Sequence, residues 1–151
     1  MKMTMRNRVD YSRRRVAAGL MLAIGFSLWW LLAPGGPGNV IRADAAYNAW
    51  AEGSLTIIDI RRPDEWAQSG TPKGAVRLDL RRPDFLHALS DAMNGQLTTP
   101  IAVICATGVR SRRLAAQLQE LGLKQVFDIS EGMFGGDGGP GWIARGLPLD
   151  R

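Results

Sequence analysis

The chain has 151 residues, 46% hydrophobic and 22% charged, a length that predicts one domain able to bury a core without covalent or metal staples. One cysteine excludes an intramolecular disulfide, and with His87 as the only histidine it excludes a Cys/His zinc cage, so no metal and no cofactor is expected. Six of the 19 basic and one of the 14 acidic residues fall in residues 1–40, so the net charge of +5 belongs to the N-terminus and a nucleic-acid role loses its electrostatic basis.

Residues 1–15 form a basic N-terminus. Residues 16–33, VAAGLMLAIGFSLWWLLA, carry no charge. A secretory apolar region runs to about 7–15 residues and a bilayer span needs about 17–25, so this segment reads as a transmembrane anchor. Arg13, Arg14 and Arg15 predict an N-terminus in the cytoplasm, and Trp29 and Trp30 suit the opposite interface. The rest of the chain is then expected outside the cytoplasm, on the periplasmic side. A cleaved signal is the alternative and would release an exported soluble form. The small-x-small site Ala43-Asp44-Ala45 lies well downstream of the apolar run, inside the stretch that reads as the first helix of the domain. PGGPG at 34–38 cannot continue a helix, and residues 34–40 read as a Pro/Gly linker to a domain at 41–151.

Within that domain the apolar run Leu55–Ile60 predicts a strand. Pro63 with Asp64 and Glu65 suits the first turn of a helix, where a missing N–H is harmless and negative charge is favoured. Ala75–Leu78 reads as a short strand, and Arg82-Pro83-Asp84 opens a helix running to about Met93. Ile101–Ile104 is a buried strand. Leu114, Ala115, Leu118 and Leu121 make an apolar stripe that Gly122 ends. Gln125–Ile129 is a further strand, and the glycine-rich end predicts a loop with a short closing helix. Alternating strands and helices imply an α/β domain with a small, mainly parallel sheet flanked by helices, and ligands in such sheets bind outside the carboxyl ends of the strands. DIRRPD at 59–64 recurs as DLRRPD at 79–84 without similarity beyond it. This is two alike strand-to-helix turns, expected to put positive potential on one sheet edge.

Cys105 stands at the end of a predicted strand, before a short loop and a helix. Backbone N–H groups and the helix dipole converge there on an anion, first of all the thiolate. Gly108 lets the loop turn its amides inward. Arg110 supplies a cation able to hold an oxyanion by two parallel hydrogen bonds. Ser111 reads as the N-cap of the following helix. A buried structural thiol is the bland alternative, and the Gly and Arg beside Cys105 argue against it. His87, Trp50, Trp66 and Trp142 read as packing or surface residues; Met133 and Phe134 are candidates for a pocket mouth.

From residue 40 onward the chain resembles a single-domain rhodanese. The likeness rests on Ile58-Asp59-Ile60-Arg61 with Glu65-Trp66, on Gly70–Ala75, on CATGVRS at 105–111 and its helix, and on Glu131-Gly132-Met133 and Gly141-Trp142 through Pro148. The resemblance implies a sulfurtransferase that takes a sulfane sulfur from a donor such as thiosulfate and passes it to cyanide, a thiol or a protein acceptor. Cys105 would be nucleophile and persulfide carrier. Ala106, Thr107, Gly108, Val109 and Arg110 would cradle the substrate, Ser111 would support the loop, and Asp59, Arg61 and Glu65 would serve as framework.

Two other readings compete. Related phosphatases and arsenate reductases place five residues between cysteine and arginine, whereas four stand here, a tighter loop suited to one sulfur atom. The other is a membrane-tethered carrier or partner-binding module with little turnover.

Overall fold

The computed structural model describes residues 39–151. The predicted anchor at 16–33 lies outside them, and among the described residues no helix is long and apolar enough to cross a membrane.

In chain order the elements are β1 (Asn39–Ile41), α1 (Ala43–Ala51), β2 (Thr56–Asp59), α2 (Pro63–Ser69), β3 (Thr71–Pro72), β4 (Val76–Arg77), α3 (Phe85–Ala92), β5 (Ile101–Ile104), α4 (Val109–Glu120), β6 (Val126–Ile129) and β7 (Leu149–Asp150). Five strands form one sheet in the order β1-β6-β5-β2-β4, and every neighbouring pair is parallel. β3 and β7 pair antiparallel in a separate ribbon.

β5 lies at the centre with all four residues buried, which is why Ile-Ala-Val-Ile shows no polar alternation. The connections from β1 to β2 and from β2 to β4 run one way along the sheet, while those from β4 to β5 and from β5 to β6 run back. Right-handed crossovers then place α1 and α2 on one face and α3 and α4 on the other. The main core agrees with this assignment. Ile58, Ile60, Val103 and Val126 meet Phe85 and Leu89 of α3 and Leu114, Ala115 and Leu118 of α4. Leu89 and Leu118 are buried completely or nearly so, and each contributes about 1.5–3 kcal/mol relative to exposure. The direction of winding reverses between β5 and β2, so the crevice outside their carboxyl ends is the expected place for a ligand.

Several expectations change. The sheet begins at Asn39, inside the segment read as linker, because Asn39, Val40 and Ile41 pair with Phe127, Asp128 and Ile129. No closing helix forms at the C-terminus; residues 131–148 run through turns, and Leu149–Asp150 return to Thr71–Pro72. The positive sheet edge is also absent. Arg61 pairs with Asp59, Arg62 with Asp64, Arg81 with Asp79 and Arg82 with Asp84, so each guanidinium of the two RRP turns faces a carboxylate.

Candidate active site

Cys105 follows β5 directly and is 1% exposed. Its carbonyl accepts the Met133 N–H at 2.9 Å, and that of Ala106 accepts the Phe134 N–H at 2.9 Å, so residues 132–134 brace the loop from behind. Gly108 caps α4 with φ 86, and a Cβ there would strike the Ser130 carbonyl. Gly132, at φ 64, approaches equally closely, since its Cβ would stand 2.5 Å from the Ala106 carbonyl oxygen. Only glycine fits both positions, because left-handed backbone and contact with another main chain coincide.

The Ser111 expectation is corrected. α4 starts at Val109 behind a Gly108 cap, so Ser111 lies inside the first turn and caps nothing. Its N–H points at the Cys105 Sγ at 3.5 Å, its hydroxyl stands 3.5 Å from the same sulfur, and that hydroxyl donates to the Gly108 carbonyl at 3.2 Å. Helix formation from Val109 onward leaves the N–H groups of the first turn without intrahelical acceptors, and the Ser111 N–H among them meets the sulfur at the positive end of the helix dipole.

Arg110 reaches across the crevice to α2. Its Nη1 and Nη2 donate to Glu65 Oε2 and Oε1 at 3.0 and 2.7 Å, a two-pronged ion pair. The same carboxylate accepts the Arg62 N–H at 3.0 Å, fixing the start of α2 behind Pro63. The Arg110 side-chain hydrogen bond is the main cause holding the Glu65 carboxyl at about 2, and Glu65 in turn raises Arg110 above its ordinary value, with a smaller contribution from Cys105. Arg110 is therefore a strap between α4 and α2, already occupied by a carboxylate.

Because Glu65 is depressed from 4.5 to about 2, its stabilisation is complete above about pH 4.5 and is lost as pH falls through about 2. Arg110 is partly exposed, which reduces the effect to about 1–3 kcal/mol. Denaturant titrations near neutrality and near about pH 2 should show Glu65→Gln losing less stability on acidification than wild type by this amount. Equal acid sensitivity in both proteins would remove Glu65 as its source.

Asp59 and Arg61 form a hub beside the loop. Both side chains are fully buried. Arg61 donates from Nε and Nη2 to Asp59, from Nη1 to the Ser69 hydroxyl at 2.8 Å and from Nη2 to the Gly70 carbonyl at 2.6 Å. Thr71 donates its hydroxyl to Asp59 at 2.7 Å. The Arg61 guanidinium also lies 6.0 Å from the Phe134 ring centre.

Of the two mouth candidates, Met133 is fully buried and only Phe134, 55% exposed, is open to solvent. Two acids gain weight that the sequence reading did not give them. Glu131, fully buried, accepts from Ala43 N, Gly141 N and Arg145 Nε, so it pins the closing loop to α1. Burial alone raises its carboxyl, and Arg145 with the two amides brings it below the ordinary value. Asp128 is buried on β6 with neither oxygen hydrogen-bonded. The signal for it was a lone acid inside the apolar run VFDI.

Fold and site together define an α/β domain with a loop cysteine at the winding reversal of a parallel sheet. Residues 42–136 match the rhodanese-like domain. The chain belongs to the rhodanese-like family. It is 34% identical over 114 residues to the thiosulfate sulfurtransferase GlpE of Haemophilus influenzae, covering 76% of this chain and 96% of that one. An uncharacterised protein of Rickettsia prowazekii is 29% identical over 98 residues, 61% of this chain and 80% of its own. Among solved structures, the polysulfide-sulfur transferase homodimer of Wolinella succinogenes is similar with a TM-score of 0.59 and 30% identity, covering 76% of this chain and 80% of that one.

Proposed function

We propose that the protein is a sulfurtransferase that carries a sulfane sulfur on Cys105 from a donor such as thiosulfate to a thiophilic acceptor. The thiolate attacks the donor's outer sulfur, the donor's S–S bond breaks, and sulfite leaves with the electron pair. A persulfide remains on Cys105. Cyanide or a thiolate then takes the outer sulfur and returns Cys105 to the thiolate, so the cycle needs no general base once that thiolate exists. The observation that carries this reading is the Cys105 sulfur facing the Ser111 N–H at the start of α4, in a loop with four residues between Cys105 and Arg110. The likeness to a thiosulfate sulfurtransferase and to a polysulfide-sulfur transferase supports it.

Glu65 bears on the donor. With both prongs of Arg110 engaged, the charge of an incoming donor falls to the loop amides and the helix end, which suits a linear polysulfide as well as thiosulfate. Thiosulfate and cyanide together should give thiocyanate, and donor alone should add the mass of one sulfur to Cys105. The sulfur adduct without turnover would leave the carrier reading in place; neither product would overturn both.

The same proposal places the domain outside the cytoplasm on an anchor at 16–33, supported by the triple arginine before that apolar run and the tryptophans at its end. A C-terminally tagged full chain should sediment with membranes and lose its tag to protease added from outside. A soluble, protease-protected tag would overturn the anchor.

A further inference from the structure

Arg61 and Arg110 border the crevice between the carboxyl ends of β2 and β5, and each already carries a carboxylate. The N–H groups of buried Arg61 are all engaged, by Asp59, the Ser69 hydroxyl and the Glu65 and Gly70 carbonyls. Arg110 turns both prongs on Glu65 at 3.0 and 2.7 Å, and the Arg62 N–H holds the same carboxylate from the α2 side at 3.0 Å. With its carboxyl held at about 2, Glu65 keeps this charge near neutrality. The outer pairs Arg62–Asp64 and Arg81–Asp79 cancel in the same way. On α4 the next cations lie past the loop, Arg112 toward Asp128 at 3.8 Å and Arg113 exposed one residue on. The Gly136 backbone packs on the Thr107 carbonyl, where a Cβ would stand 2.6 Å away, and brings the exposed Asp137 to the edge of the loop. An anion entering beside Cys105 therefore meets loop amides and one helix end, while both bordering guanidiniums are neutralised.

Phe134 covers the other side. Its N–H bonds the Ala106 carbonyl at 2.9 Å, just after β5, while its ring stands 6.0 Å from the Arg61 guanidinium, just after β2. The ring thus spans the crevice, and more than half of this large apolar residue remains exposed there. Val109, also exposed at the start of α4, adds to the apolar rim.

We propose that this crevice takes an organic persulfide, R–S–SH, in preference to dianionic thiosulfate, with Glu65 setting the preference and Phe134 seating the organic group. The preference rests on the sulfur-transfer reading and names its donor. The Cys105 thiolate bonds to the outer sulfur, the donor's S–S bond breaks, and R–S⁻ leaves with the bonding pair. The proton stays on the transferred sulfur, so Cys105–S⁻ and R–S–SH become Cys105–S–SH and R–S⁻. Donor and thiolate carry one negative charge between them, or two when the persulfide is ionised, whereas thiolate and thiosulfate bring three into the same space. A helix end supplies about half an elementary charge. Arg110 can offer more only by leaving Glu65, which would strand a carboxylate whose side chain is 14% exposed. That penalty falls chiefly on the dianion. Glu65 is a positioning residue here, since it acts through Arg110 and touches no reacting atom.

Persulfide formation on Cys105, the only cysteine in the chain, can be followed by mass spectrometry of the full-length protein, with thiosulfate and with benzyl persulfide as donors. Wild type should load faster from benzyl persulfide. Removing the charge in Glu65→Gln should raise the second-order loading rate from thiosulfate about tenfold relative to that from benzyl persulfide. A merely structural loosening moves both rates together, so the ratio reads the charge. Glu65→Asp, which keeps the charge, should stay near the wild-type ratio. Phe134→Ala, at an exposed position, should slow loading from benzyl persulfide about tenfold through weaker binding, and far more than loading from thiosulfate. Faster wild-type loading from thiosulfate, a ratio that Glu65→Gln leaves unmoved, or a Phe134→Ala that slows both donors equally would overturn the preference and leave sulfur transfer standing. Loading from neither donor would overturn the sulfur-transfer reading, and the preference with it.

Discussion

Replacing Cys105 with serine should lower thiocyanate formation by at least about three orders of magnitude while leaving the fold intact. The activity falls because a serine hydroxyl is a poor nucleophile toward sulfur and forms no persulfide. No substitute is at hand, since the chain contains no second thiol. The fold should survive because the change exchanges one buried atom. The serine oxygen can still accept the Ser111 N–H that now meets the sulfur at 3.5 Å, so thermal midpoints should agree within a few degrees. Paired kinetics and thermal scans of the full chain check both halves. Turnover surviving in Cys105→Ser would remove Cys105 as nucleophile. A large loss of stability with lost turnover would instead make it a packing residue, which is what a 1% exposed sulfur is in most proteins.

The path to this cysteine was legible because its information is local. Ile101–Ile104 is an unbroken apolar run, which in an alternating α/β chain belongs at the sheet centre, and Cys105 is its next residue. The stripe Leu114, Ala115 and Leu118 announced the helix behind it, and all three side chains are buried. Other features depend on partners far along the chain. Asn39–Ile41 looks like the tail of a linker until β6 pairs with it, and Thr71–Pro72 becomes a strand only when Leu149–Asp150 return. Ser111 misled because serine before an apolar stripe is the ordinary cap signal. Here Gly108, turning left-handed against Ser130, begins the helix three residues earlier and leaves Ser111 free to face the sulfur. Asp128 left one local mark, a lone acid inside the run Val126–Ile129, while its burial without a hydrogen-bond partner depends on the neighbouring strand and the helix above.

The twin turns show the same division between local and distant information. DIRRPD and DLRRPD make the same ion pairs, each arginine meeting the aspartate two positions away. Yet Pro63 opens a helix at once while Pro83 precedes one that starts at Phe85, and Arg61 is fully buried while Arg81 is largely exposed. β2 lies inside the sheet, and Ser69, Gly70 and Thr71 close over its end; β4 is an edge strand whose turn opens to water. Large and unequal consequences should follow. Arg61→Leu leaves Asp59 charged, buried and short of its main partner, and should cost about 3–5 kcal/mol. For a domain of this size that lowers the thermal midpoint by more than about 10 °C. Arg81→Leu, at an exposed pair, should change the midpoint far less than Arg61→Leu. Asp59→Ala should resemble Arg61→Leu, and combining the two should cost clearly less than their sum, because the second change relieves the charge the first one strands. Denaturant unfolding of the four variants measures this directly; equal, small losses at Arg61 and Arg81 would show that the buried pair is not the hub its contacts describe. The consequence reaches the active site through α2. Arg61 ties the end of that helix at Ser69 and Gly70, and its first turn carries Glu65, so loosening the hub should also slacken the Glu65–Arg110 strap across the cysteine loop.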